Sequence, residues 1–272
     1  MAGGGERYGA PVAARRVDGG RAGAAVLAQA DLTLAWLSTQ PPSVWRRPAV
    51  LPGWTFGELA MHVAMALNTV HTALSTPTPD KPISIDRYVS GYAGTAADIR
   101  EREVDKAAGL EPAEILAAVY AERDAAAAAI ADLPLVRAVG AARGPIAPAD
   151  FLLTRAIEMV VHADDLSRSL PEREPVELDR TALRLVTHAL TEILAARAPG
   201  RSLELRVPPY AAVQCVQGPR HTRGTPPNVV ETDALTWVRL AAGRLPWADA
   251  VRTGSVHASG ERADLAPWLP LL

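Results

Sequence analysis

Between residues 21 and 170 apolar side chains recur at helical rather than alternating spacing, in long segments cut by proline and glycine. No other feature constrains the fold as much. Val26, Leu27, Ala30, Leu34 and Leu37 predict a first helix over Arg21–Leu37, stopped by Pro41-Pro42. Residues 45–52 then read as a connector. Thr55 and Glu58 have capping-box spacing, in which each residue satisfies a backbone N–H of the other's turn. A second helix is therefore predicted from about Phe56 to Leu74, with Leu59, His62, Val63, Ala66, Leu67 and Val70 inward. Ser75–Pro82 reads as a loop, and helices follow near 86–106 and 111–132, the second with Ile115, Leu116, Val119 and Ile130 on one side. Residues 133–147 are broken by Pro134, Gly140, Gly144 and Pro145. Pro148, at a position suited to the first helical turn, opens a last long helix to about Leu170. Connections this short predict an up-down helical bundle over 21–172, preceded by a glycine-rich flexible tail at 1–20.

The pattern changes after Pro171. Asp179 caps a helix expected over 180–198, ended by Pro199-Gly200. Alternating or β-branched runs follow at 202–207, 211–217, 228–232 and 255–259, with a helix capped by Asp233 and ending at Gly243, and a last helix over 263–269. Residues 173–272 thus read as a small α+β domain, and the whole chain as α+β.

Composition narrows the function. Twenty-eight basic against 30 acidic residues leave a net charge of −2, which argues against nucleic acid and against a polybasic membrane surface. Leu59–Pro79 lacks Asp, Glu, Lys and Arg, but His62, Asn68 and His71 interrupt it, so it reads as a core helix rather than a membrane span. The N-terminus has no apolar segment before a cleavage site, and the single cysteine, Cys215, forms no internal disulfide. A cytoplasmic location is the expectation. Cys215 reads as a small buried residue, and neither a Gly-Xaa-Ser-Xaa-Gly elbow nor a phosphate loop is present. Thiol chemistry would need a thiol cosubstrate.

The chemistry-bearing pattern lies on the last bundle helix. Arg155, Glu158, His162 and Asp165 follow one another at steps of three, four and three, and so share one stripe of an apolar helix. His62 occupies the apolar face of the second helix. If the two helices are neighbours, His62, Glu158 and His162 form a two-imidazole, one-carboxylate set with a fourth position open, the arrangement of catalytic zinc. The competing structural reading pairs Glu158 with Arg155 and Arg123 and makes His62 a satisfied core histidine. Asp165 is placed either to orient a ligand imidazole or to pair with Arg168, and Arg155 to hold Glu158 rather than a substrate carboxylate. His71 and His188 read as structural or surface residues, and the basic turn Arg220–Arg223 as a solvated loop rather than an anion site.

Pro52-Gly53-Trp54-Thr55 followed by His62, together with the R-x-x-E-x-x-x-H-x-x-D helix of Arg155, Glu158, His162 and Asp165, resembles the mycothiol-dependent maleylpyruvate isomerase family within the DinB-like bundles. The resemblance implies that His62, Glu158 and His162 bind a divalent metal such as zinc and that Trp54 lies near the site mouth. It further implies that mycothiol is the cosubstrate, added to a small electrophile in an isomerisation or an S-transfer. Asp233–Thr236, Leu240–Arg244 and Ser255–Glu261 resemble a sterol-carrier-protein-2-like (SCP2-like) domain. That implies the alternative, a carrier of lipid or a small apolar ligand, with a sizeable cavity between the strands and the 180–198 helix. In a third arrangement the domain covers the metal cleft and supplies Arg244 or Arg220 to a substrate acid.

Overall fold

A computed structural model describes residues 18–92, 106–218 and 227–272. The expected tail, most of the 86–106 helix and the Arg220–Arg223 turn lie outside them. The helical N-terminal region contains α1 (Gly19–Ser38), α2 (Phe56–Leu74), the short α3 (Ile85–Val89), α4 (Pro112–Ala131) and α5 (Pro148–Ser169). Local chemistry sets their ends. Asp18 accepts from the Arg21 N–H at the start of α1, and the Thr55–Glu58 capping box at the start of α2 is closed in both directions. Pro112 and Pro148 stand in the first turns of α4 and α5.

Three segments differ from expectation. The helix expected over 86–106 stops at Val89, and residues 90–92 form a turn. A three-stranded antiparallel sheet, β1 (Pro77–Thr78), β2 (Ala138–Ala141) and β3 (Gly144–Ile146), occupies stretches expected to be loops. One of the glycines that interrupt the helical period lets the chain re-enter β3 after the turn: Gly144 has φ +116, a conformation costly for any side chain. The β2–β3 turn also carries Arg143, whose guanidinium lies over the ring of Tyr92, 4.3 Å from its centroid.

In the C-terminal sheet domain α6 (Arg180–Arg197), capped by Asp179, precedes a sheet of β4 (Leu203–Val207), β5 (Ala211–Cys215), β6 (Val229–Thr232) and β7 (Val256–Ser259), ordered β5-β4-β6-β7. The β4–β6 pair is parallel and the others are antiparallel. Helices α7 (Ala234–Ala241) and α8 (Trp247–Arg252) lie between β6 and β7, and the segment expected as a last helix contains only the 3-10 turn Ala266–Trp268. The alternation of β4 turns Leu203, Leu205 and Val207 inward, where they join Cys215, Val230 and Trp237, each at most 1% exposed. A cavity able to admit a ligand would expose the side chains lining it, so this inner face is packed rather than hollow. That disfavours the carrier expectation.

Helix α5 is the hub. Seventeen of its 22 residues are buried, against α1 and α2 on one side and the C-terminal half on the other. No helix among the described residues is long and apolar enough to cross a membrane. On α2, Asn68 bonds Glu122 of α4 at 3.0 Å, which accounts for one polar interruption of that apolar segment.

Candidate metal centre

Because α2 packs on α5, His62 meets the polar stripe of α5. The His62 and His162 rings stand edge to face with centroids 4.6 Å apart. Glu158 Oε2 lies 3.1 Å from His162 Nε2 and 3.8 Å from His62 Nε2, and one donor atom from each residue falls within 4.8 Å of the others. Donors bound at about 2.0–2.1 Å in a tetrahedron stand roughly 3.3 Å apart. The spacing therefore suits one small cation with little adjustment. The sequence expectation that these three residues converge is met.

The surrounding contacts are polar and charged. Asp165 Oδ2 lies 3.1 Å from His162 Nδ1, and a carboxylate only accepts, so Nδ1 carries the proton. His162 Nε2 faces Glu158 Oε2 at 3.1 Å, so the ring stands between two carboxylates. Burial would raise the Glu158 carboxyl, but the Arg155 charge and the contacts with His162 and His62 outweigh it and hold the group well below the usual carboxylate range. The same competition, burial against His162 and Arg244, leaves Asp165 lowered. Both groups are therefore anionic at neutral pH.

The remaining candidates separate into positions and roles. Trp54 lies beside His62, with ring centroids 5.5 Å apart. Arg155 bonds the Tyr92 hydroxyl at 2.8 Å, Thr69 at 3.3 Å and Thr154 at 3.2 Å, and stands 3.5 Å from Glu158 Oε1. Burial pushes the Tyr92 phenol up to about 12, so it remains a neutral acceptor for Arg155. Arg123 does not approach Glu158 but forks onto Asp31 at 2.6 and 2.9 Å. Asp165 favours His162 over Arg168, which is 3.9 Å away. Arg244, a candidate either to support the ligands or to meet a substrate acid, contacts Asp165. Its Nε lies 3.0 Å from Asp165 Oδ1. Arg239, which sequence reasoning passed over, forks onto Asp164 at 2.8 and 2.6 Å. The acid pair at 164–165 was its only sequence signal, and nothing local names a partner 75 residues away. His71 and His188 are exposed, and burial raises the Cys215 thiol to about 11, away from nucleophilic use.

Comparison with known proteins agrees with this architecture. Residues 24–167 match the model of the mycothiol maleylpyruvate isomerase N-terminal domain, and residues 179–271 that of the bacterial SCP ortholog. The first match spans more than half of the sequence, so the chain belongs to the mycothiol maleylpyruvate isomerase N-terminal domain family. Among solved structures it is similar to the crystal structure of the mycothiol-dependent maleylpyruvate isomerase, with 19% identity, 89% of this chain and 93% of that chain covered, and TM-score 0.59. A histidine-to-alanine mutant of that enzyme matches with 17% identity, the same coverages and TM-score 0.58. These likenesses establish a shared fold spanning both halves. Comparison with curated proteins finds no match.

Proposed function

We propose that this chain is a divalent-metal enzyme in which mycothiol adds to an electrophilic carbon of a small substrate, with His62, Glu158 and His162 as the metal ligands. The carrying observation is the convergence of two imidazoles and a carboxylate within 4.8 Å, from helices distant in sequence. Two nitrogens and one oxygen suit zinc. When bound, the ion supplies a thiolate at neutral pH by making a coordinated thiol lose its proton.

The chain's residues do the rest. Asp165 keeps the His162 proton on Nδ1 and so keeps Nε2 as a donor. Arg155 fixes Glu158 and balances its charge. Trp54 packs against His62 and limits how far that ring can swing. With a cis-alkene of the maleylpyruvate kind, thiolate addition to one alkene carbon leaves a single bond free to rotate. Loss of the same thiolate then returns the trans isomer with no net consumption of thiol. With an electrophile carrying a leaving group the thiol stays attached, which is the S-transferase version. A reduced thiol cosubstrate fits a reducing compartment, so the reading includes the cytoplasm. It takes residues 21–172 as the metal-binding unit and 173–272 as its SCP2-like companion.

Elemental analysis and zinc titration of the purified chain, beside His62→Ala and His162→Ala, test the ligand set. The expected result is about one ion per chain for the native sequence and loss of retention in both variants, together with mycothiol-dependent isomerisation of maleylpyruvate by the native chain alone. A folded native chain that neither contains nor takes up a divalent ion overturns the proposal.

A further inference from the structure

Asp164 and Asp165 are adjacent on α5, 5% and 0% exposed. Successive helical residues point about 100° apart, so one partner can reach both only by wrapping around the helix. The end of α7 and the turn after it do this. Arg239, in the last turn of α7, forks onto Asp164. The chain then reverses at Gly243, φ +68, and the Arg244 N–H returns to the Arg239 carbonyl at 2.7 Å. Arg244 thereby grips both Asp165 oxygens, Nε at 3.0 Å from Oδ1 and Nη2 at 3.1 Å from Oδ2. The two pairs differ in one respect. Asp165 touches His162, while Asp164 has no contact with a proposed ligand among the bonds of the structure.

From this difference we infer that Arg244 is a positioning residue of the metal centre, acting through Asp165 on His162, so that the C-terminal domain governs how tightly the helical region holds its ion. The inference rests on the ligand set proposed above. Without Arg244 the Asp165 carboxylate keeps the imidazole and an Arg168 guanidinium 3.9 Å away, beyond hydrogen-bond reach, so it can rotate about its own side-chain torsions and carry the ring with it. A guanidinium on both oxygens removes that freedom and supplies the countercharge that a fully buried carboxylate requires. Arg239 fastens the same turn of chain to the same helix without reaching the ligands, and so separates docking from positioning within the molecule.

The test is Co²⁺ titration of the metal-free full-length chain, followed by the visible absorption of the bound ion, with folding checked by near-UV circular dichroism. Arg244→Met is expected to weaken Co²⁺ binding about ten- to a hundredfold, the range for loss of a partner that orients a ligand. Arg239→Met is expected to lower the melting temperature but to change Co²⁺ affinity less than about threefold. Asp165→Asn should weaken binding as Arg244→Met does, and the double variant should be no weaker than Asp165→Asn alone, as a shared route requires. Should Arg244→Met fail to fold, Arg244→Lys, which keeps the charge without the fork, takes its place with the same cycle. Unchanged affinity in the Arg244 variant, an equal loss in Arg239→Met, or full additivity in the cycle would overturn the inference while leaving the ligand set intact. A native chain that binds no Co²⁺ would overturn the ligand set, and the inference with it.

Discussion

The helical region and the sheet domain bury opposite kinds of group. At the centre of the first, α5 carries Arg155, Glu158, His162, Asp164 and Asp165 in contact with charged or aromatic partners. The core of the second is dry, built from Trp237 and the inward residues of the strands, and its buried Asn228 and Thr232 only tie neighbouring backbone at 2.7 and 2.8 Å. Charge removed from water is costly unless opposed, so a protein keeps such a layer where it supports chemistry or a unique geometry. The comparison locates the buried charge in the helices. It leaves the sheet domain a narrower part: two arginines delivered across the boundary.

The sharpest way to break this comparison is to delete one large buried group from each region. Arg155→Ala leaves Glu158 without its nearest cation and is expected to cost about 3–5 kcal/mol of unfolding free energy in urea titrations at neutral pH. Trp237→Ala should cost a similar amount, about 3–5 kcal/mol, through lost packing. The two should part with pH, the first loss shrinking in acid and the second staying constant. Equal pH dependence would mean that the buried charges do not distinguish the regions.

Acid alone should produce a smaller contrast in the metal-free protein. Glu158 and Asp165 are lowered in the folded state, so as pH falls through the ordinary carboxylate range near 4 the unfolded chain takes up their protons first. Their stabilisation is present above that range and is lost as pH falls through the folded-state values. Hydrogen exchange followed downward from pH 6 should therefore show α5 opening before the sheet core; the reverse order would contradict the assignment. Smallest of all, Thr55→Ala removes the cap of α2 and is expected to cost about 1 kcal/mol, read from the urea midpoint.

Much of the helical region was legible because its signals are local. The capping box at Thr55–Glu58, the prolines opening α4 and α5, and Asp179 and Asp233 capping α6 and α7 each act within one turn of chain. The ligand set was legible in part: periodicity aligned Glu158 with His162, but bringing His62 to them required two helices to pack. The β1–β3 sheet was not legible, since its strands are two to four residues long and pair across some sixty positions. Arg244 was legible as a candidate, but its contact with Asp165 was not.

By itself the sequence determined where the long helices α1, α2, α4, α5 and α6 lie and which of their side chains share a face, because hydrogen bonding and side-chain direction repeat every few residues. Only the tertiary structure decided which faces meet. It joined His62 to Glu158 and His162, turned Arg123 away to Asp31, and carried Arg239 and Arg244 across 75 and 79 positions to two buried acids. The reason is physical: a buried charge must be opposed by whatever cation the fold brings near, and that choice is made by packing rather than by distance along the chain.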